Sequence, residues 1–254
     1  MDECFLASPL GPLGKNLPAP RIIGGLVPHA GYLYSGPCAA HLYACLDRAI
    51  RCVILLGVNH WSRGANAALG PWDSWRTPLG DIAIDRDLNT LLREQVNFLK
   101  VDEQPHRREH SIEVQLPFLQ RVLHEFTLLP ISLSYLPVEE CRDLGKILAN
   151  HCATPAHHTL ILASSDLNHY LSPEKTEELD RLALERVLAL DPEGLLDIVE
   201  KMNISMCGVM PTAILLFAIH ALGGKQVRLL KHYHSGHVTK MGEVVGYASV
   251  CFEN

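Results

Sequence analysis

Residues 21–32 read RIIGGLVPHAGY. Behind Arg21 comes a short apolar run with no polar alternation, the pattern of a strand buried on both faces, as in a parallel sheet covered by helices. The run stops at Pro28 and hands over His29 at the strand's carboxyl end. The same pattern returns as RCVILLG (51–57), FTLLPIS (126–132) and HTLILAS (158–164). Segments with helical spacing fall at 36–47, 85–95, 111–124, 138–151, 173–190, 192–202 and 212–222. Strands that alternate with helices read as βα units. The expected fold is therefore α/β, a three-layer α/β/α sandwich around a mostly parallel sheet. Two late runs, QVRLLKHY (226–233) and EVVGYASVCF (243–252), are expected to form a terminal hairpin or edge.

Around this frame the chain is ordinary. Of its 254 residues 48% are apolar and 20% charged, and no break in composition divides it. Residues 8–20 (SPLGPLGKNLPAP) lack any periodicity, so the expected organisation is a Pro/Gly arm over 1–20 and one domain over 21–254. Twenty-two basic against 28 acidic residues give a net charge of −6, which disfavours a nucleic-acid partner, because duplex binding needs an excess of Lys and Arg. Met206 to Ile219 is the most apolar stretch and is too short for a bilayer, so no membrane association is expected. Eight scattered cysteines without a C-x-x-C pair, and an opening MDECFLASPLG without signal-peptide character, lead to the expectation of a reduced, cytoplasmic protein.

Ligands of open parallel sheets bind beyond the carboxyl ends of the strands. Three such ends carry a histidine: His29 in VPHAGY, His60 in GVNHW and His169 in SSDLNHY, the last together with Asp166. One histidine in a polar loop means little, but three at equivalent positions point to a site. Two imidazoles and an anion make an open set for non-haem iron, and a thiolate as the third ligand also suits zinc or copper. Asp166, Glu109 and Cys207 are the candidate anions. Cys207 precedes an apolar helix whose N-terminal dipole is expected to lower the thiol pKa. Glu109 and His110 sit at the entrance of a helix in which Pro117 implies a kink or a late start. His232, His234 and His237 in HYHSGH have ligand-like spacing, with 232 and 234 on one strand face, but their place at an expected hairpin tip makes them the weaker candidate. A nucleophile elbow, a phosphate loop and a dinucleotide fingerprint are all absent.

PHAGYLYSG (28–36), the strand ending in NHW (51–61), RTPLGDI (76–82), EHSIEVQLPFL (109–119), SSDLNHY (164–170) and CG (207–208) together resemble the Memo family, also called AmmeMemoRadiSam system protein B in bacteria and archaea. The resemblance implies a fold like that of the class III extradiol dioxygenases. It also implies a metal held by His29, His60 and Cys207, the cysteine standing where those dioxygenases use a glutamate. Fe(II) is the first expectation, with Cu or Zn as alternatives. Asp166 and His169 then match catalytic pocket positions, while Tyr32, Asn59, Glu109 and His110 line the pocket. A redox or oxygenase-like enzyme acting on a small molecule or peptide is the implied function. The alternatives are a non-catalytic adaptor for phosphorylated peptides and a ring-cleaving dioxygenase. The family name implies a radical-SAM protein and an AMMECR-like protein as partners. The family's opening AG-x-W/F-Y-like segment has no counterpart ahead of the arm, so a pocket wall without that segment is expected.

Overall fold

The computed structural model describes residues 1–14, 21–153 and 158–254. Four largely apolar runs form the parallel centre of the sheet: β1 (Ile22–Val27), β2 (Cys52–Val58), β7 (Thr127–Leu133) and β8 (Thr159–Ser164). Between β2 and β7 the chain adds β3 (Ala67–Leu69), β4 (Ser74–Thr77), β5 (Gly80–Ala83) and β6 (Lys100–Val101). After β8 come β9 (His169–Leu171), β10 (Gln226–His234) and β11 (Val244–Glu253). The main sheet runs β10-β11-β1-β8-β2-β7-β3-β6; β9 pairs with β11, and β4 with β5 forms a separate hairpin. Its centre is parallel, whereas β10, β11 and β3 attach antiparallel at the two sides. The expected strands thus form, with the late pair at an edge.

Side chains of the central strands alternate between two helical layers. Ile54, Leu56, Leu129 and Ile161 pack in one core with α4 (Val138–Cys152), α5 (Pro173–Leu188) and α7 (Val209–Ala221). Val53, Leu55, Leu128 and Leu162 pack in the other with α1 (Gly36–Tyr43) and α3 (Leu116–Val122). Two further helices, α2 (Arg86–Gln95) and α6 (Pro192–Lys201), complete the set among the described residues. The three-layer sandwich read from the sequence is the fold. In β1 the glycine pair admits both layers: a Cβ on Gly24 would lie 2.7 Å from Ile219 Cδ1 of α7, and one on Gly25 would lie 2.3 Å from Leu42 Cδ2 of α1.

Several boundaries move, each for a local reason. The helix expected over 36–47 stops at Tyr43, where turns begin and the Asp47 carboxylate accepts the Ala49 N–H at 2.9 Å. The helix expected over 111–124 divides into a 3-10 turn, Glu113–Gln115, and then α3. Pro117 lies in the first turn of α3, where a missing N–H leaves no bond unmade, so the late start is the correct alternative. Likewise α7 begins at Val209 instead of Thr212, because Pro211 also fits a first turn. The expected Pro/Gly arm falls partly on 15–20, outside the described residues. Within its first part, and unlike an aperiodic arm, Glu3–Ala7 forms a helical turn that packs Cys4 and Phe5 into the α1–α3 side of the domain. Among the described residues no helix is long and apolar enough to cross a membrane.

Candidate metal centre

Three neighbouring parallel strands, β1, β8 and β2, end level with one another: Val27 pairs with Ser164, and Leu56 with Ala163. In the sheet β8 lies between β1 and β2. The loops nevertheless fold inward, and the rings of His29 and His60 meet with centroids 5.2 Å apart. His110, from the entrance to α3, stacks on His60 at 5.1 Å and meets His29 edge-on at 5.5 Å. One donor nitrogen from each of the three rings falls within a common 4.8 Å span. Cys207 approaches from the loop before α7, its Sγ 3.2 Å from His29 Nε2. His29 is buried, whereas His60 and His110 are exposed, so the cluster opens to solvent on one side.

The hydrogen bonds behind the rings decide their protonation. Ser164 Oγ donates to the Ser111 carbonyl at 2.7 Å, which commits its only proton. Its contact with His29 Nδ1 at 2.9 Å must therefore be a bond that His29 donates. Gln115 locks this arrangement by donating to Ser164 Oγ and to the Pro28 carbonyl, both at 2.9 Å, while Tyr43 donates to its Oε1 at 2.8 Å. His29 thus carries its proton on Nδ1 and aims the Nε2 lone pair at Cys207. Burial is the main influence that lowers its pKa to about 4; Asp166 opposes this, and the neighbouring imidazoles add to it.

Glu109 does the same for His60. Its carboxylate accepts from the backbone N–H groups of His60 (2.9 Å), His110 (2.8 Å) and Ser111 (2.9 Å). It also accepts from His60 Nδ1, at 2.9 Å. Burial opposes ionisation here, yet the His60 ring and the backbone N–H groups outweigh it and hold the carboxyl down to about 2. An ionised carboxylate can only accept, so Nδ1 of His60 carries a proton and the ring's other nitrogen, Nε2, is the one left to a ligand. Two imidazoles, each fixed through Nδ1 by an oxygen and each offering Nε2, form the arrangement typical of metal-binding histidines.

The other expected residues take varied places. Asp166 accepts the N–H groups of His29 (2.8 Å) and Ala30 (3.2 Å) through one oxygen, so its carboxylate braces the His29 loop. Asn59 is buried and exchanges bonds with the backbone of Arg63, turning away from the rings to pin the loop after His60. Tyr32 is half-exposed and packs edge-on against Phe118 at 5.8 Å. His169 donates through Nδ1 to the Ser205 carbonyl at 2.8 Å, and none of its described bonds or ring contacts reaches His29, His60 or His110. The expected lowering of the Cys207 thiol pKa is not found. Burial pushes it well up and the Asp166 charge adds to that, overriding the helix dipole. Gln115, Ser111 and Ser164 were not expected in the site; a lone glutamine in the apolar series VQLPFL was the visible signal.

The sequence pattern described as Memo-like protein matches residues 5–251. The chain belongs to the Memo family. A MEMO1 family protein of Methanopyrus kandleri is 39% identical over 259 residues, covering 99% of this chain and 91% of its own. Another, from Methanosarcina barkeri, is 39% identical over 242 residues, covering 94% and 90% respectively. A crystal structure of an uncharacterized protein from Escherichia coli K12 covers 91% of this chain and 99% of its own, with a TM-score of 0.55 at 14% identity. That last likeness concerns the fold. Of the residues matched to Memo motifs in the sequence, His29, His60, Glu109, His110, Asp166 and Cys207 meet here, whereas His169, Asn59 and Tyr32 bond or pack elsewhere.

Proposed function

We propose that this Memo protein is a metal-dependent redox enzyme, oxygenase-like in character, whose metal is held by His29, His60 and Cys207. The fixed orientations of His29 and His60 carry this reading, since each ring donates through Nδ1 to a held oxygen and leaves Nε2 for a cation. Burial raises the pKa of the thiol next to His29 Nε2, so Cys207 would become a thiolate ligand only where a cation took the place of its proton. Two nitrogens and one sulfur suit iron(II) first and copper or zinc next. When bound, iron or copper would supply redox chemistry, and the exposed side at His60 and His110 is where a substrate would reach it.

The chain's own groups then have distinct tasks. His110, exposed and stacked on His60, stands beside the open side, where it can serve as a further donor or meet substrate. His169 keeps Nε2 free and is assigned the general acid/base role, acting on a substrate that spans the mouth. Asp166 and Glu109 hold the loops and rings in place. A cytoplasmic setting agrees with eight free cysteines.

A second reading, a peptide-binding adaptor, draws on the exposed Tyr32, Leu33, Trp61 and Tyr170, which follow the site loops directly. Metal analysis of anaerobically purified protein separates the two. Wild type is expected to hold close to one iron or copper per chain, and His60→Ala and Cys207→Ala to lose most of it. Equal metal content in all three proteins would end the assignment, and no metal even after reconstitution would favour the adaptor.

A further inference from the structure

The HYHSGH segment plays no part in the site above, yet it builds a second convergence of donors. β10 ends on His234, and the 3-10 turn Ser235–His237 carries His237 back over it, the two rings lying 4.2 Å apart. Opposite them runs α5, whose residues Glu174, Glu177 and Asp180 recur at intervals of three and so share roughly one face. Glu177 Oε1 stands 3.5 Å from His234 Nε2, and donor atoms of Glu177, His234 and His237 all lie within 4.8 Å of one another. Below them the fully buried Asp180 carboxylate binds His232 Nε2 at 2.9 Å and the Asn168 N–H at 2.9 Å. His234 is almost buried while Glu177 and His237 are exposed, so the group has a fixed base and an accessible rim.

We infer that Glu177, His234 and His237 form a second metal site, for a zinc-class divalent ion and separate from the His29–His60–Cys207 centre. Two imidazoles and a carboxylate are a zinc ligand set, with water as the fourth ligand. Donors around tetrahedral zinc lie roughly 3.3 Å apart, given bonds of about 2.0–2.1 Å, so the Glu177–His234 separation already fits and only His237 has to close in. In the free chain His237 Nδ1 accepts the His234 N–H at 3.4 Å and lies 3.3 Å from the His234 carbonyl; donating to that carbonyl instead would free Nε2 for a metal. His234 needs an adjustment as well. In the free chain its Nδ1 accepts the Gly236 N–H at 3.1 Å, which places the ring proton on Nε2, facing Glu177. Binding moves that proton to Nδ1 and releases the Gly236 N–H, so the turn itself reports occupancy.

Zinc alone, titrated against a chromophoric indicator, is the probe, and chelator-stripped His60→Ala/Cys207→Ser protein is the background in which the first centre is disabled. One equivalent of zinc is expected, and His237→Ala is expected to weaken it by about tenfold or more, as loss of one of three ligands should. Glu177→Gln should weaken it as well, and both substitutions are at exposed positions that leave the core intact. The Gly236 amide resonance should shift on zinc addition in wild type but not in His237→Ala. If the background variant does not fold, the same titration of wild type against His237→Ala should differ by one equivalent. Zinc affinity that His237→Ala and Glu177→Gln leave unchanged, or no zinc bound in the micromolar range, would overturn the site.

Discussion

The chain carries two histidine clusters that differ in what stands behind the rings. At the end of β1, β8 and β2, the Nδ1 atoms of His29 and His60 donate to oxygens whose own bonding is determined by a buried chain running from Tyr43 through Gln115 and Ser164, and by an ionised Glu109. At the end of β10, His234 and His237 rest on the backbone of a single short turn, and His234 holds its proton on the side that faces the other donors. The first cluster is set before any ligand arrives. The second has to rearrange. Preorganisation of this kind comes from rigid strands with buried polar support, and a turn cannot supply it.

The sharpest way to break the difference is to remove Glu109. Glu109→Gln replaces an acceptor of four N–H groups by an amide that accepts through one atom only, leaving buried donors short of partners. Charge-assisted bonds of this kind are worth roughly 1.5–3 kcal/mol each, so a loss of several kcal/mol in urea unfolding is expected, with a fall in metal affinity of about 10- to 100-fold. An unchanged affinity would mean that His60 is oriented by something other than its carboxylate.

Gly208→Ala tests the approach of α7. A Cβ there would lie 2.4 Å from Ser165 Cβ and 2.5 Å from the Ser164 carbonyl oxygen, at the end of β8 and at the residue just after it. The helix start must shift and carry Cys207 with it, so a destabilisation of about 1–3 kcal/mol is expected, together with reduced metal retention while zinc binding at His237 stays as it was. Equal losses at both clusters would indicate general unfolding instead.

How much of this was legible follows from how each feature is built. The four central strands are continuous apolar runs because helices cover both faces, and a one-dimensional pattern can carry that fact. β3, β6 and β9 span two or three residues, and β4 reads SWRT; they exist only through pairing with distant partners, which the chain does not encode locally. His29 and His60 could be found because strand ends are predictable places for ligands. The bracing by Asp166 and the turn of Asn59 toward Arg63 depend on loop geometry, so the sequence offered them as pocket groups. Gln115 escaped notice because a single glutamine beside apolar neighbours looks like an ordinary helical residue until its three bonds are seen.

Acid should expose the same contrast with a smaller effect. The folded chain holds His29 at about 4, whereas an unfolded chain has the ordinary value near 6.5, so the unfolded state binds more protons as the pH falls through that interval. Stability is then full above about 6.5 and declines toward 4, by about 2 kcal/mol at pH 5 from this ring alone. His106, lowered to about 4 mainly by burial, declines in the same window. Glu109 works in the window below: with its folded value near 2 against an ordinary 4.5, its contribution is present above about 4.5 and is lost on the way down to 2. Urea unfolding of chelator-treated protein at pH 7, 6 and 5 measures the first part. In His29→Gln that decline should shrink by about the 2 kcal/mol assigned to the ring, leaving the His106 share. A slope that His29→Gln does not alter would place the proton uptake elsewhere and remove the support that burial gives to a neutral, metal-ready His29.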